Sequence, residues 1–100
     1  MITEKDLYVC NCLLGNKWNF LIIKSLLEGE KRFSALKREI HTISDRVLCE
    51  KIKVLITYEI VEKGTNNFYN KVYQLTEKGK ALKNFVEAFD KWTASYYPEK

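Results

Sequence analysis

The sequence predicts a mostly α-helical α+β fold with one small β-hairpin, and three observations predict it. Across residues 15–55, apolar residues recur at helical spacing in three segments of unequal length, separated by tight breaks. Across residues 60–75 the helical period gives way to two short strand-like runs around a Gly- and Asn-rich segment. After Thr76 the helical period returns and lasts to Tyr96.

Taken in order, residues 7–14 form a short apolar helix that Gly15-Asn16 ends. The next helix runs over about residues 17–27, with Trp18, Leu21, Ile22, Ser25 and Leu26 at helical spacing. Glu28-Gly29-Glu30 terminates it, because Gly29 suits a left-handed backbone. Ser34 is expected to cap a short helix reaching about Ile40, with Leu36 and Ile40 as its apolar pair. His41-Thr42-Ile43 makes a turn, and Ser44 caps a third helix. There Leu48, Ile52 and Leu55 face inward, while Asp45, Arg46, Cys49, Glu50 and Lys53 fall on the opposite side. Residues 60–63 and 71–75 read as strands, and residues 64–70 supply the turn. Thr76 caps one long final helix, with Glu77 in its first turn and Leu82, Phe85, Val86, Phe89, Trp92 and Tyr96 at spacings of three and four. A helix-turn-helix followed by a hairpin, with a further helix at each end, is a winged helix-turn-helix with N- and C-terminal dimerisation helices.

One hundred residues predict one domain, residues 1–100. One proline and four glycines argue against a disordered chain. The net charge of +4 and the pI of about 8.9 mildly favour a polyanionic partner. Residues 1–8 include Glu4 and Asp6 and lack the apolar stretch of a signal peptide. The longest apolar run, residues 20–23, is far too short to cross a bilayer, so no membrane partner and a cytoplasmic location are expected. Three cysteines, an odd count, argue against a disulfide framework. Cys10 and Cys12, two apart on a helix, point to different sides; each is expected to be a small buried apolar residue and not a metal ligand. His41 stands alone, and there is no phosphate-binding glycine loop or nucleophile motif. No enzyme activity, catalytic residue, metal or cofactor is expected.

The chain resembles the HxlR-type winged-helix transcriptional regulators of bacteria and archaea over roughly residues 7–92. The resemblance is carried by Gly15-x-Lys17-Trp18, Leu26-Leu27-x-Gly29, Arg32-Phe33-Ser34-x-Leu36, Ile43-Ser44 with Leu48, Tyr73-x-Leu75-Thr76-x-x-Gly79-x-x-Leu82, and Trp92. It implies a homodimer that binds double-stranded DNA, with the third helix of the motif in the major groove. Three positions depart from the family pattern. The cysteine that some members use for redox or electrophile sensing falls at about Lys5 here. The usually proline-rich wing is shorter and rich in Asn, and the glycine common before the first wing strand is Glu59.

The expected DNA-binding residues follow from chemistry and placement. Ser44 and the start of its helix suit a phosphate. Arg46 can pair bidentately with guanine, and Lys53 suits backbone phosphate. Asp45 and Glu50 oppose phosphate unless they accept from cytosine or pair with Arg46 or Lys51. Cys49 shares that outward face, where Arg46 and Lys53 flank it and would raise its reactivity. Lys31, Arg32, Ser34, Lys37 and Arg38 lie on or beside the preceding helix, facing phosphate or solvent. Asn66, Asn67 and Lys71 are the wing's contacts, and Phe68 and Tyr69 are expected to pack back onto the hairpin. Phe33 is expected to anchor the core. The aromatic stripe Phe85, Phe89, Trp92 and Tyr96, with Leu7, Tyr8 and Leu14 of the first helix, is the expected dimer interface.

The resulting expectation is a sequence-specific DNA-binding regulator acting as a homodimer on a palindromic promoter operator. Two rivals share the fold. One is a protein-interaction winged helix using the same basic surface on an acidic partner. The other is a ligand-responsive regulator with an apolar pocket lined by the aromatic stripe. A small-molecule or redox effector is compatible with the sequence, but no motif supports one.

Overall fold

The computed structural model describes residues 1–14 and 17–99, and of residues 12–14 the backbone alone. The elements run α1 (Glu4–Leu14), α2 (Lys17–Leu26), α3 (Phe33–Glu39), α4 (Asp45–Thr57), β1 (Val61–Thr65), β2 (Lys71–Leu75), α5 (Glu77–Lys80) and α6 (Lys83–Tyr96). This is the winged helix-turn-helix the sequence predicts, mostly helical with one two-stranded antiparallel sheet.

Helix α1 begins one turn earlier than the apolar spacing suggests. The Asp6 N–H donates to Thr3 Oγ1 (3.1 Å) and the Thr3 N–H donates to Asp6 Oδ2 (2.9 Å). This reciprocal cap satisfies two N–H groups and extends the helix into a polar stretch that periodicity alone passes over. The expected stop at Gly15-Asn16 lies outside the described residues.

Helix α2 buries Asn19, Ile22, Ile23, Ser25 and Leu26. Leu21 was expected on that face but is 38% exposed; it turns toward a groove against α6. Gly29 follows the helix with φ 138°, a backbone that side chains rarely adopt, and its N–H donates to the Leu26 carbonyl (3.1 Å).

Helix α3 starts at Phe33, so Ser34 lies inside its first turn and does not cap it; Arg32 holds the cap position without a side-chain bond. The cause is a β-bridge one residue upstream. The Lys31 N–H donates to the Tyr73 carbonyl (2.9 Å) and the Tyr73 N–H to the Lys31 carbonyl (2.8 Å). The extended backbone at Lys31 and Arg32 gives way to helix immediately after. Helix α4 follows the expectation closely. The Val47 N–H donates to Ser44 Oγ (3.1 Å), and Leu48, Ile52 and Leu55 are buried.

Strand β1 begins and ends later than expected, because Gly64 and Thr65 pair with Val72 and Lys71 and belong to the ladder instead of the turn. The link from α4 passes through Glu59, whose φ of 61° is left-handed. That conformation explains why a glycine suits this position. The strained link is pinned from the far side of the hairpin: Thr76 Oγ1 donates to the Glu59 carbonyl (2.6 Å) and the Thr76 N–H to the Ile60 carbonyl (3.0 Å).

The expected single C-terminal helix is two. Thr76 caps as predicted, its Oγ1 accepting from the Gly79 N–H (3.1 Å), but α5 lasts one turn. Gly79 is pressed on the base of the hairpin, where an added Cβ would lie 2.4 Å from the Ile60 carbonyl oxygen. The backbone then tightens, with the Leu82 N–H donating to the Gly79 carbonyl (3.1 Å), before α6 begins at Lys83. One core joins these elements, with Ile22, Leu36, Ile43, Leu48, Leu55 and Val61 almost wholly inaccessible and Phe33 packed at its edge.

Candidate nucleic-acid interface

The outward face of α4 carries Asp45, Arg46, Cys49, Glu50 and Lys53, all exposed. Its inward face is held by the core, so the helix presents these side chains from a rigid support. Arg46 Nε lies 3.3 Å from Glu50 Oε1, one turn on, and the pair is largely open to water. Such a pair is weak and easily exchanged for a stronger partner. Ser44 caps α4, and Arg46 and Lys53 are exposed about two turns apart along it.

The flanking cations divide. Arg32, Ser34 and Arg38 are exposed on or beside α3. Lys37 is tied to the turn: its Nζ donates to the Ile43 carbonyl (2.6 Å) and lies 3.6 Å from Asp45 Oδ1. It links α3 to the first residue of α4 and so fixes the angle of the motif. Lys31 was expected near phosphate or solvent. Its side chain is only 15% exposed and its ammonium donates to Glu28, Glu39 and Ser25 Oγ, so it joins α2 to α3 instead. Burial opposes the Lys31 charge, but the hydrogen bonds to Glu28 and then Glu39 outweigh it and raise the pKa above the ordinary lysine value. In Glu39 the bonds from Lys31 and then Ser25 outweigh burial and hold the carboxyl below its ordinary value. What distinguishes Lys31 from Arg32 is the placement of Glu28, Glu39 and Ser25 around its ammonium.

In the wing, Asn67 and Lys71 are exposed, and Asn66 is half-buried because its side chain builds the turn. Phe68 and Tyr69 stand in solvent and do not pack back onto the hairpin. Cys10 is exposed, contrary to expectation, because α1 turns that face to solvent; Cys12's side chain lies outside the described residues. Among the described residues no group of His, Cys, Asp and Glu could hold a metal ion. No described helix is long and apolar enough to cross a membrane.

A second surface has the opposite chemistry. Phe85, Phe89, Trp92 and Tyr96 are exposed along α6, and Leu7 and Tyr8 along α1; Leu14's side chain lies outside the described residues. The rings form a chain, with Phe20 to Phe89 centroids 5.0 Å apart, Phe89 to Trp92 6.2 Å and Trp92 to Tyr96 5.4 Å. Phe20, whose ring role no helical spacing marks, anchors that chain to α2. Between α2 and α6 lies an open groove of about 510 Å³, walled by Phe20, Leu21, Phe85 and Phe89 and edged by the Lys24–Asp90 ion pair (2.8 Å).

Comparison with known proteins matches residues 13–100 to the family described as HxlR-like helix-turn-helix. The HTH-type transcriptional regulator YodB of Bacillus subtilis (strain 168) is 38% identical over 86 residues, covering 84% of this chain and 77% of that protein. The solved structure of YodB from B. subtilis in its reduced form superposes with a TM-score of 0.81 at 35% identity, covering all of both chains. The redox regulator HypR in its reduced form, at 24% identity and a TM-score of 0.81 over 92% of each chain, shares the fold.

Proposed function

We propose, because this chain belongs to the HxlR-like helix-turn-helix family of transcriptional regulators, that it is a sequence-specific DNA-binding homodimer acting in the cytoplasm on a palindromic promoter operator. The observation that carries this reading is α4: a helix whose inner face is buried while Arg46, Cys49, Glu50 and Lys53 are exposed on the outside, Arg46 and Glu50 paired only loosely. On DNA, Arg46 exchanges Glu50 for a guanine edge, the commonest specific contact in the major groove. Glu50, released from Arg46, accepts from a cytosine amine. Ser44 and the start of α4 meet phosphate, as do Arg32, Ser34 and Lys53, while Lys37 holds the turn and Asp45. Asn66, Asn67 and Lys71 bring the wing to the flanking backbone.

The exposed aromatic stripe of α6, and separately Leu7 and Tyr8 exposed on α1, support dimerisation, since exposed apolar surface of this kind is stabilised by a partner. A two-fold pairing through these helices sets two copies of α4 about one helical turn of DNA apart, roughly 34–36 Å. The test is selection of short duplexes from a randomised pool, followed by fluorescence anisotropy at physiological salt. Preference for the selected duplex over its scrambled version by at least about a thousandfold supports the reading. A pool that enriches nothing, with equal weak binding throughout, overturns it and favours an acidic protein partner for the same surface.

A further inference from the structure

The wing's tip is where the structure departs most from solvent-friendly turn chemistry. Phe68 is 81% exposed and Tyr69 90% exposed, two adjacent rings held in water. The turn is built to hold them out. Asn66 Oδ1 accepts from the backbone N–H of both Phe68 (2.9 Å) and Asn70 (3.0 Å), and the Tyr69 N–H donates to the Asn66 carbonyl (3.0 Å). Tyr69 itself takes φ 62°, a left-handed backbone that a ringed residue rarely adopts. A glycine or asparagine there would meet the same turn with less strain and no exposed ring. From Lys63 to Lys71 the hairpin carries both lysines and no carboxylate, so its tip favours a polyanion. The hairpin also leaves α4 through only three residues, with the Ile60 N–H donating to the Leu55 carbonyl (2.9 Å), which ties it to the reading helix.

We propose that Phe68 and Tyr69 form an aromatic wedge that enters the minor groove beside the α4 site and partly unstacks one base step. Apolar side chains placed between base steps kink a duplex, and pyrimidine–purine steps yield most easily. The wedge therefore selects sequence by deformability at a position where no base edge is hydrogen-bonded, while Lys63 and Lys71 hold the flanking phosphates. This inference rests on the DNA-binding reading above.

The test uses the intact protein and a duplex selected by the wild type, labelled at both ends for energy transfer. Wild-type protein is expected to shorten the end-to-end distance. Phe68→Ala is expected to weaken binding about tenfold or more and to relax the bend. The salt dependence should stay unchanged, because no phosphate contact is lost. Phe68→Leu keeps an apolar wedge and should retain much of both effects. Tyr69→Gly removes a ring while easing the backbone, so a loss there reports the ring and not the strain. Thermal midpoints of Phe68→Ala and Phe68→Leu should match the wild type, since the ring they replace is exposed. Unchanged affinity and bend in the Phe68→Ala/Tyr69→Ala double variant overturns the wedge and leaves specific binding standing. Altered sedimentation mass in that variant, with unchanged DNA affinity and bend, overturns it too and assigns the tip to another copy of the chain. A wild type that enriches no duplex overturns the DNA reading itself, and the wedge with it.

Discussion

Helices α4 and α6 are both amphipathic and both lean on the same core, but their outer faces have opposite chemistry. The outer face of α4 is polar and charged, with Arg46 and Glu50 loosely paired in water. The outer face of α6 is aromatic, with Phe85, Phe89, Trp92 and Tyr96 in solvent. Water satisfies the first face and is displaced from the second at a gain of about 25 cal/mol per Å² of apolar surface covered. One periodic pattern thus builds two outer faces of opposite chemistry. On the reading proposed above, the first meets a polyanion and the second a second copy of the chain. Between the two helices in the chain lies the joint at Glu59, Thr76 and Gly79, where Thr76 holds the Glu59 carbonyl and Gly79 sits against Ile60.

The largest effect is expected on the aromatic side. Trp92→Asp puts a charge in the middle of the α6 stripe. It is expected to halve the mass seen in sedimentation and to lower operator affinity about a hundredfold or more, a loss of the size seen at interface hot spots. Breaking the joint comes next. Gly79→Ala drives a Cβ onto the Ile60 carbonyl, a contact that only backbone movement relieves, and is expected to cost about 1–3 kcal/mol in urea unfolding.

On the polar side, Arg46→Ala is expected to leave the thermal midpoint and dimer mass unchanged while removing about 1–3 kcal/mol of discrimination at one base pair. Lys53→Ala should instead weaken all duplexes alike and lower the salt slope by about 1. Glu59→Gly sharpens the account of the joint: it relieves a left-handed backbone and should stabilise the fold by about 1 kcal/mol or less in thermal unfolding.

The smallest effect concerns the clip between α2 and α3. Glu39 is held below its ordinary pKa, so it favours the folded state at neutral pH and loses that contribution as pH falls through the carboxylate range, about pH 5 to 3. Lys31, held above its ordinary value, loses its contribution only as pH rises beyond the lysine range. Chemical unfolding of Glu39→Gln should show a shallower decline of stability on acidification than the wild type.

Most of the fold was legible because its cues are local. Ser44 and Thr76 both cap where their residue type and the following helical pattern indicated, and Leu48, Ile52 and Leu55 all turned inward. What escaped depends on contacts distant in sequence. Ser34 was displaced from its cap by the pairing of Lys31 with Tyr73. The last helix was divided by the packing of Gly79 on Ile60, 19 residues away in the chain. At the site, the outward face of α4 followed from periodicity, but the free and committed cations did not. Lys31 and Lys37 are basic residues like Arg32, and only the three-dimensional placement of Glu28, Glu39 and the Ile43 carbonyl separates them. The exposure of Phe68 and Tyr69 was hidden for a similar reason. It depends on the Asn66 side chain closing the turn beneath them.

In the proposed function the charged face reads DNA while the aromatic face pairs two copies. Hydroxyl-radical footprinting of the wild-type protein on a selected duplex tests both halves at once. Two symmetry-related protected segments centred about 10–10.5 base pairs apart are expected, collapsing toward a single weak one in Trp92→Asp. A single asymmetric footprint from the wild type, or a symmetric one that Arg46→Ala and Trp92→Asp both leave intact, would contradict it.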